Sequence, residues 1–280
     1  MTADPRAAVS DELGAAQPII EIRDLVTHYG DREILSGVSL EIQRGEIMVI
    51  MGGSGSGKST LLRHMLRLER PTSGSVRILG REITTMSEFD FYALSRKMGV
   101  AFQGGALLSS MTVGENVMLP LRERTSLDPE TIRIMMRLKL EVVNLAGFED
   151  LMPAELSGGM IKRAAFARAV AMDPLLLFCD EPSAGLDPVV SRSLDELIVR
   201  LRDALGMTIV VVTHELDSAF RIADRITVLD NGEILAIGTV EEVKNSPNDR
   251  IQSLLHRRLR ETEPDPEEYL ARLTGAQKRA

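Results

Sequence analysis

The sequence predicts an α/β fold built on a mainly parallel sheet and interrupted by a helical insert, and three observations predict it. Short apolar runs at 47–51, 175–179, 208–212 and 225–229 alternate with longer helix-like segments. The first of these runs passes through a glycine-rich stretch straight into a helix-like segment at 61–68. Between positions 86 and 172 the alternation gives way to mostly helical periodicity. Neighbouring parallel strands need a long crossover, which helices supply.

Each element follows from local chemistry. Residues 1 to about 18 are polar, acidic and alanine-rich; they read as a loose leader without a signal-peptide pattern. Beyond Pro18, strands are expected at 19–26, 34–35, 38–42, 47–51 and 75–79, the last followed by Gly80. In the helical stretch, 131–145 is the clearest periodic segment. Asp128 stands where a cap is needed, Pro129 at the first helical position and Glu130 in the first turn. A strand at 99–102, a helix at 161–171 and a helix at 190–205 complete the alternation. After Glu233–Gly238 the chain is expected to leave the core. The expected organisation is a leader over 1–18, one domain over 19–244 and a C-terminal helical extension over 245–280.

A chain of 280 residues with 44% hydrophobic residues can bury a sizeable core as one large domain, or one domain plus an appendage. Its formal net charge of −8 argues against a general nucleic-acid binder, whose footprint is a basic patch or stripe. The single cysteine, Cys179, cannot form an internal disulfide, which suits a reducing cytoplasm. No stretch approaches the roughly 20 apolar residues of a membrane helix, so a membrane role is expected to come through a partner.

The chemistry concentrates in two places. Gly52-Gly53-Ser54-Gly55-Ser56-Gly57-Lys58-Ser59 fits G-x-x-x-x-G-K-[ST], after a strand and before a helix, with Thr60 next in line. Glycines allow consecutive N–H groups to face phosphate, and the helix N-terminus adds a favourable dipole. Lys58 would reach the β- and γ-phosphates of ATP and Ser59 would ligate Mg2+. Downstream, the apolar run 175–179 ends in Asp180-Glu181, which core packing does not require. The first acid would hold Mg2+ and the second polarise an attacking water.

Further pieces carry a resemblance. Leu156-Ser157-Gly158-Gly159-Met160 opens a helix and is similar to the ABC signature LSGGQ; Gln103 resembles the Q-loop glutamine and His214 the switch histidine. The order along the chain is that of ABC ATPases, and the resemblance spans roughly 19–240. It implies a RecA-like P-loop NTPase core with an antiparallel β subdomain and an inserted helical subdomain at about 104–170. It also places Asp187 in the D-loop, Tyr29 against adenine and Gln103 among the Mg2+ ligands. By the same resemblance, Ser157, Gly158, Gly159 and Met160 meet the nucleotide of a second copy in a head-to-tail dimer.

Met160 stands where the signature usually has glutamine, and Gly53 where proline is common. Nine of the 14 methionines fall between 86 and 172, as core filler or as an adaptable surface for a membrane partner's helix. His28, His64 and His256 lack metal-ligand spacing and read as surface or packing residues. Lys162, Arg163 and Arg168 read as a solvated helix face, and Cys179 as a buried strand residue.

Segments 102–108, 113–121 and 151–160 resemble the ATPases of Mce-associated lipid transporters, the maintenance-of-lipid-asymmetry type, whose pattern includes a methionine at position 160. That resemblance implies phospholipid transport between bacterial membranes, peripheral attachment to the cytoplasmic face of the inner membrane, and a permease and an Mce-type lipid-binding protein as partners. A polar amino-acid importer ATPase is the rival within the class; a non-transport ABC protein, such as an iron–sulfur assembly ATPase, is the rival outside it. In the tail, Ile251, Leu254, Leu255 and Leu259 repeat at helical spacing. Segment 261–273 either folds on its own core or reaches the neighbouring subunit.

Overall fold

The computed structural model describes residues 17–255; the leader before them and the tail from 256 onward, including 261–273, lie outside the described residues. Two sheets organise the chain. The first is antiparallel, in the order β2-β1-β4-β5, with β1 Ile20–Tyr29, β2 Arg32–Ile42, β4 Ser73–Ile78 and β5 Arg81–Glu82. The second runs β10-β9-β3-β8-β7-β6, with β3 Ile47–Met51, β6 Met98–Ala101, β7 Leu176–Asp180, β8 Thr208–Thr213, β9 Arg225–Asp230 and β10 Glu233–Gly238. Its pairs are parallel except β9 with β10.

The central strands are apolar on both faces because both faces are covered. Along β3 the pleat sends Ile47, Val49 and Met51 into one core and Met48 and Ile50 into the other. In β7, Leu177 and Cys179 divide from Leu176 and Phe178 in the same way. Burial pushes the Cys179 thiol far up, so it behaves as a small core residue.

Helix α1, Lys58–Met65, follows β3 and packs in the core shared with the antiparallel sheet. Helix α2, Glu88–Ser95, precedes β6 and is capped by Ser87. Three helices then pack on one another: α3 Val113–Arg124, α4 Pro129–Val142 and α5 Gly158–Ala169. Asp128 caps α4 as expected, its Oδ1 accepting from the Glu130 and Thr131 amides at 3.0 Å each. A capping box of Thr112 and Glu115 starts α3. Helix α6, Pro188–Leu205, links β7 to β8, and α7, Leu216–Ile222, links β8 to β9.

Two expectations need correction. Segments 34–35 and 38–42 form one strand: Gly37 takes a φ of +65°, and pairing with β1 continues across it with register shifts. Nor does the chain leave the core after Gly238. Helices α8 (Val240–Lys244) and α9 (Asp249–Leu255) bring Val243 and Ile251 to full burial, and Arg250 bonds Asp230 at 2.7 Å.

Candidate active site

The glycine loop between β3 and α1 is shaped by contacts a side chain would obstruct. A Cβ on Gly52 would lie 2.0 Å from the Leu229 carbonyl oxygen. Gly57, the N-cap of α1, has a φ of +103°, and a Cβ there would meet Leu35 at 2.7 Å. Gly55 is also left-handed, at +75°. The Gly232 amide donates to the Ser56 carbonyl at 3.0 Å, tying the loop to the turn after β9. Lys58 is buried, and its Nζ donates to the Gly52 and Gly53 carbonyls at 2.9 Å each. Burial pushes its pKa down, while the charges of Glu181 and Asp180 oppose that shift. Ser56 Oγ is buried with no hydrogen-bond partner among the described residues. An orphaned hydroxyl, a buried ammonium and a helix N-terminus suit a nucleotide phosphate chain. Ser54 and Ser59 face solvent, and Thr60 is buried.

At the end of β7 two carboxylates part company. Glu181 adopts a left-handed φ of +46° and its amide donates to the Val212 carbonyl at 2.8 Å. Its Oε2 accepts from Thr213 Oγ1 at 3.1 Å and its Oε1 from His214 Nδ1 at 2.8 Å. Asp180 is half-buried, and its pKa is raised by burial first and by Glu181 second, against Arg63, Lys162 and Lys58. No group of three His, Cys, Asp or Glu side chains placed to hold a metal ion occurs among the described residues. A donor set of one carboxylate, one hydroxyl and one amide, as in Asp180, Ser59 and Gln103, suits Mg2+, which keeps waters and shares substrate phosphates, better than an all-protein cage would.

Two further expected residues lie beside these groups: the Tyr29 hydroxyl is 3.4 Å from Thr60 Oγ1, and the Gln103 carbonyl shares Lys162 Nζ with that of Glu181. Gln103 is exposed just beyond β6, and Tyr29 is 45% exposed, its hydroxyl donating to Glu69 at 2.6 Å. Ser157 caps α5, its Oγ accepting from the Met160 amide at 3.3 Å. A Cβ on Gly159 would lie 2.7 Å from Val190 Cγ1, and Asp187 caps α6 through the Val189 and Val190 amides. The signature residues and Asp187 therefore share one exposed ridge. No hydrogen bond or ion pair joins that ridge to the glycine loop among the described residues.

The three cations of α5 are not a solvated face. Lys162 donates to the carbonyls of Gln103 and Glu181, Arg163 to Val143 O at 2.9 Å and Ser193 Oγ at 2.6 Å, and Arg168 to Gly105 O and Ala106 O. Helical periodicity cannot tell a cation facing water from one facing carbonyls. The buried alanines 164, 165 and 167 around them were the available signal. His64 is a packing residue, 2% exposed, with Nε2 2.7 Å from Thr27 Oγ1. Sequence spacing marks Leu254 only as an apolar tail position and gives no sign of a site role for Thr213. Leu254 of α9 closes a cleft of about 100 Å3 with Gly52, Gly53 and His214.

Comparison with known proteins adds a family profile, ABC transporter, which matches residues 35–184. The chain is 39% identical, over 85% of its length and 90% of the relative's, to the Haemophilus influenzae protein named intermembrane phospholipid transport system ATP-binding protein MlaF. The Escherichia coli protein of that name is 40% identical over 85% and 88%. A methionine import ATP-binding protein, MetN of Mannheimia succiniciproducens, is 42% identical over 88% of this chain and 71% of its own. Among solved structures, a dimeric ATP-binding cassette in a post-hydrolysis state with ADP and phosphate aligns with a TM-score of 0.73 at 32% identity, over 79% of this chain and 98% of that one. CbiO1 of Clostridium perfringens, part of a transporter complex, aligns with a TM-score of 0.76 at 28% identity, over 92% and 99%.

Proposed function

The chain belongs to the ABC transporter ATPase family, and from that premise we propose that it energises phospholipid transport between bacterial membranes. It binds and hydrolyses ATP; the cargo is the inference. One observation carries the ATPase chemistry: a glutamate at the end of β7 held between Thr213 and His214, on the strand next to β8 and beyond it the glycine loop after β3.

Residues 52–60 receive the nucleotide, with Tyr29 against the adenine. Lys58 exchanges the Gly52 and Gly53 carbonyls for phosphate oxygens, and Ser56 donates its free hydroxyl. Ser59, Gln103 and Asp180 would hold Mg2+, which would supply positive charge against the phosphates. Glu181 orients water and accepts its proton, with His214 fixing the carboxylate. Ser157, Gly158, Gly159, Met160 and Asp187 face the nucleotide on a second copy, so the working unit is a head-to-tail dimer.

Phospholipid cargo is supported by two relatives with that printed role that the chain matches over 88–90% of their length, against 71% of the methionine importer. The methionine at 160, shared with the lipid-transport pattern, points the same way. No helix among the described residues is long and apolar enough to cross a membrane. The proposed permease docks in an open cleft of about 580 Å3 lined by Leu66, Phe91, Met98, Phe102, Leu119 and Met172. Two of the clustered methionines thus line a surface, while Met118 and Met136 fill the core. Within this reading the domain comprises 19–244 together with helix α9 packed on its core, has its helical part at about 104–170, sits on the cytoplasmic face of the inner membrane, and works with an Mce-type lipid-binding protein.

Tagged full-length chain purified with its membrane partners tests this reading. We expect a permease and co-extracted phospholipid. A methionine-binding permease complex, or soluble assembly proteins without a permease, would reject the cargo assignment.

A further inference from the structure

Lys162 alone among the α5 cations touches both the loop after β6 and the end of β7. It is buried, and its Nζ donates to the carbonyl oxygens of Gln103 and Glu181, the latter at 3.2 Å. Further along the helix, Arg168 donates to Gly105 O at 2.9 Å and Ala106 O at 2.7 Å. The backbone of that loop lies close on the helix: a Cβ on Gly105 would sit 2.7 Å from Ile161 Cγ2. Helix α5, which begins at the Ser157 cap, thus holds loop 103–106 at both ends.

The contact with Glu181 matters because of that residue's backbone. A left-handed φ of +46° is disfavoured for a residue with a Cβ and persists only where neighbours impose it. Its amide is held by Val212, its carboxylate by Thr213 and His214, and its carbonyl by Lys162. That carbonyl also accepts from the Ala184 amide at 3.3 Å, and among the described residues Lys162 is the side chain that holds it. A charged donor on two carbonyls is stronger than a neutral one. Phe102, beside Gln103, lines the open cleft, so displacement there has a short route to Glu181.

We propose that Lys162 is a positioning residue that joins the Gln103 loop and Glu181 to the signature helix, so that the three shift together and the carboxylate is aligned only when α5 is in place. This rests on Glu181 acting in ATP hydrolysis.

The experiment compares full-length wild type with Lys162→Met, which keeps the length of the side chain without its donor, and Lys162→Arg, which restores one. Steady-state ATP hydrolysis, equilibrium binding of ATP and thermal melting are measured on each. We expect Lys162→Met to lower kcat roughly tenfold to a hundredfold, as for misplacement of a reacting group. ATP affinity should be unchanged, because the contacts of Lys58 and residues 52–57 remain, and Lys162→Arg should recover most of the rate. Should Lys162→Met not fold, Lys162→Leu, which also lacks a donor, takes its place, and the same split is expected. Wild-type kcat in the donorless variant, an equal loss of ATP affinity and kcat, or an Arg variant no better than Met would each overturn the proposal. A wild-type chain that fails to hydrolyse ATP would instead remove the ATPase reading itself.

Discussion

Nδ1 of His214 lies 2.8 Å from Oε1 of Glu181. The two residues come from the ends of adjacent parallel strands, with Asp180 paired to Val212 one step earlier. A carboxylate accepts here, so the imidazole donates from Nδ1, and Nε2, 3.5 Å from Glu215, faces outward. Glu181 is thereby held on two sides by donors from β8 and the turn that follows it. Such an arrangement orients a base.

Replacing His214 by alanine removes one of the two side-chain donors on Glu181. We expect ATP binding to persist and kcat to fall by roughly tenfold to a hundredfold, the scale of a misplaced catalytic group. Rapid-quench hydrolysis alongside ATP titration checks this. Loss of binding with unchanged turnover of bound ATP would contradict it.

Lys58→Ala removes the buried ammonium that the loop is folded around. ATP affinity should fall below detection in equilibrium binding while the fold survives, because the lysine bonds only to loop carbonyls. Gly52→Ala should act differently. Its Cβ would collide with the Leu229 carbonyl at 2.0 Å, so the expected penalty is about 1–3 kcal/mol of stability. A melting curve separates the two substitutions: for a domain of this size a fall of roughly 2–10 °C is expected for Gly52→Ala only.

His64 supplies a pH signature. Burial holds its pKa below the ordinary value of 6.5, against the backbone and charge of Glu69. Glu69 O lies 3.3 Å from Nδ1 and can only accept, so the neutral ring donates there and accepts from Thr27 at Nε2. Above pH 6.5 the ring is neutral folded or unfolded and the stability is full. As pH falls below that value the unfolded chain takes up a proton first, and stability declines until the native ring titrates. Melting scans between pH 8 and 5 should show this decline, and His64→Gln should flatten that part of it. An unchanged slope in the variant would assign the decline to other groups.

Strands and motifs were legible where local chemistry decides. The run 47–51 is buried on both faces and reads as a strand from apolarity alone, and Asp128 with Pro129 announces α4 in the same way. Gly52 to Ser59 declares a phosphate loop because few other functions need that spacing of glycines before Lys and Ser. What stayed hidden depends on partners distant in sequence. Lys162 looks like any cation on a helix until Gln103 and Glu181 are placed beside it, 59 and 19 residues away. Thr213 looks like a strand terminus until its hydroxyl meets Glu181. Val243 and Ile251 sit among polar residues at the edge of a charged tail, and only tertiary packing draws them into the core.

Glu181→Gln addresses the central claim most directly, because it keeps the shape of the side chain and removes the proton acceptor. Full-length wild type and variant are compared for phosphate release, and for association state by analytical ultracentrifugation with and without Mg-ATP. We expect hydrolysis to fall by about 10²–10⁴-fold, the range for loss of a general base. ATP should still bind and convert the variant from monomer to a stable dimer. Hydrolysis at the wild-type rate, or a variant that binds ATP and stays monomeric, would contradict the assignment of Glu181 as the base in an ATP-closed dimer.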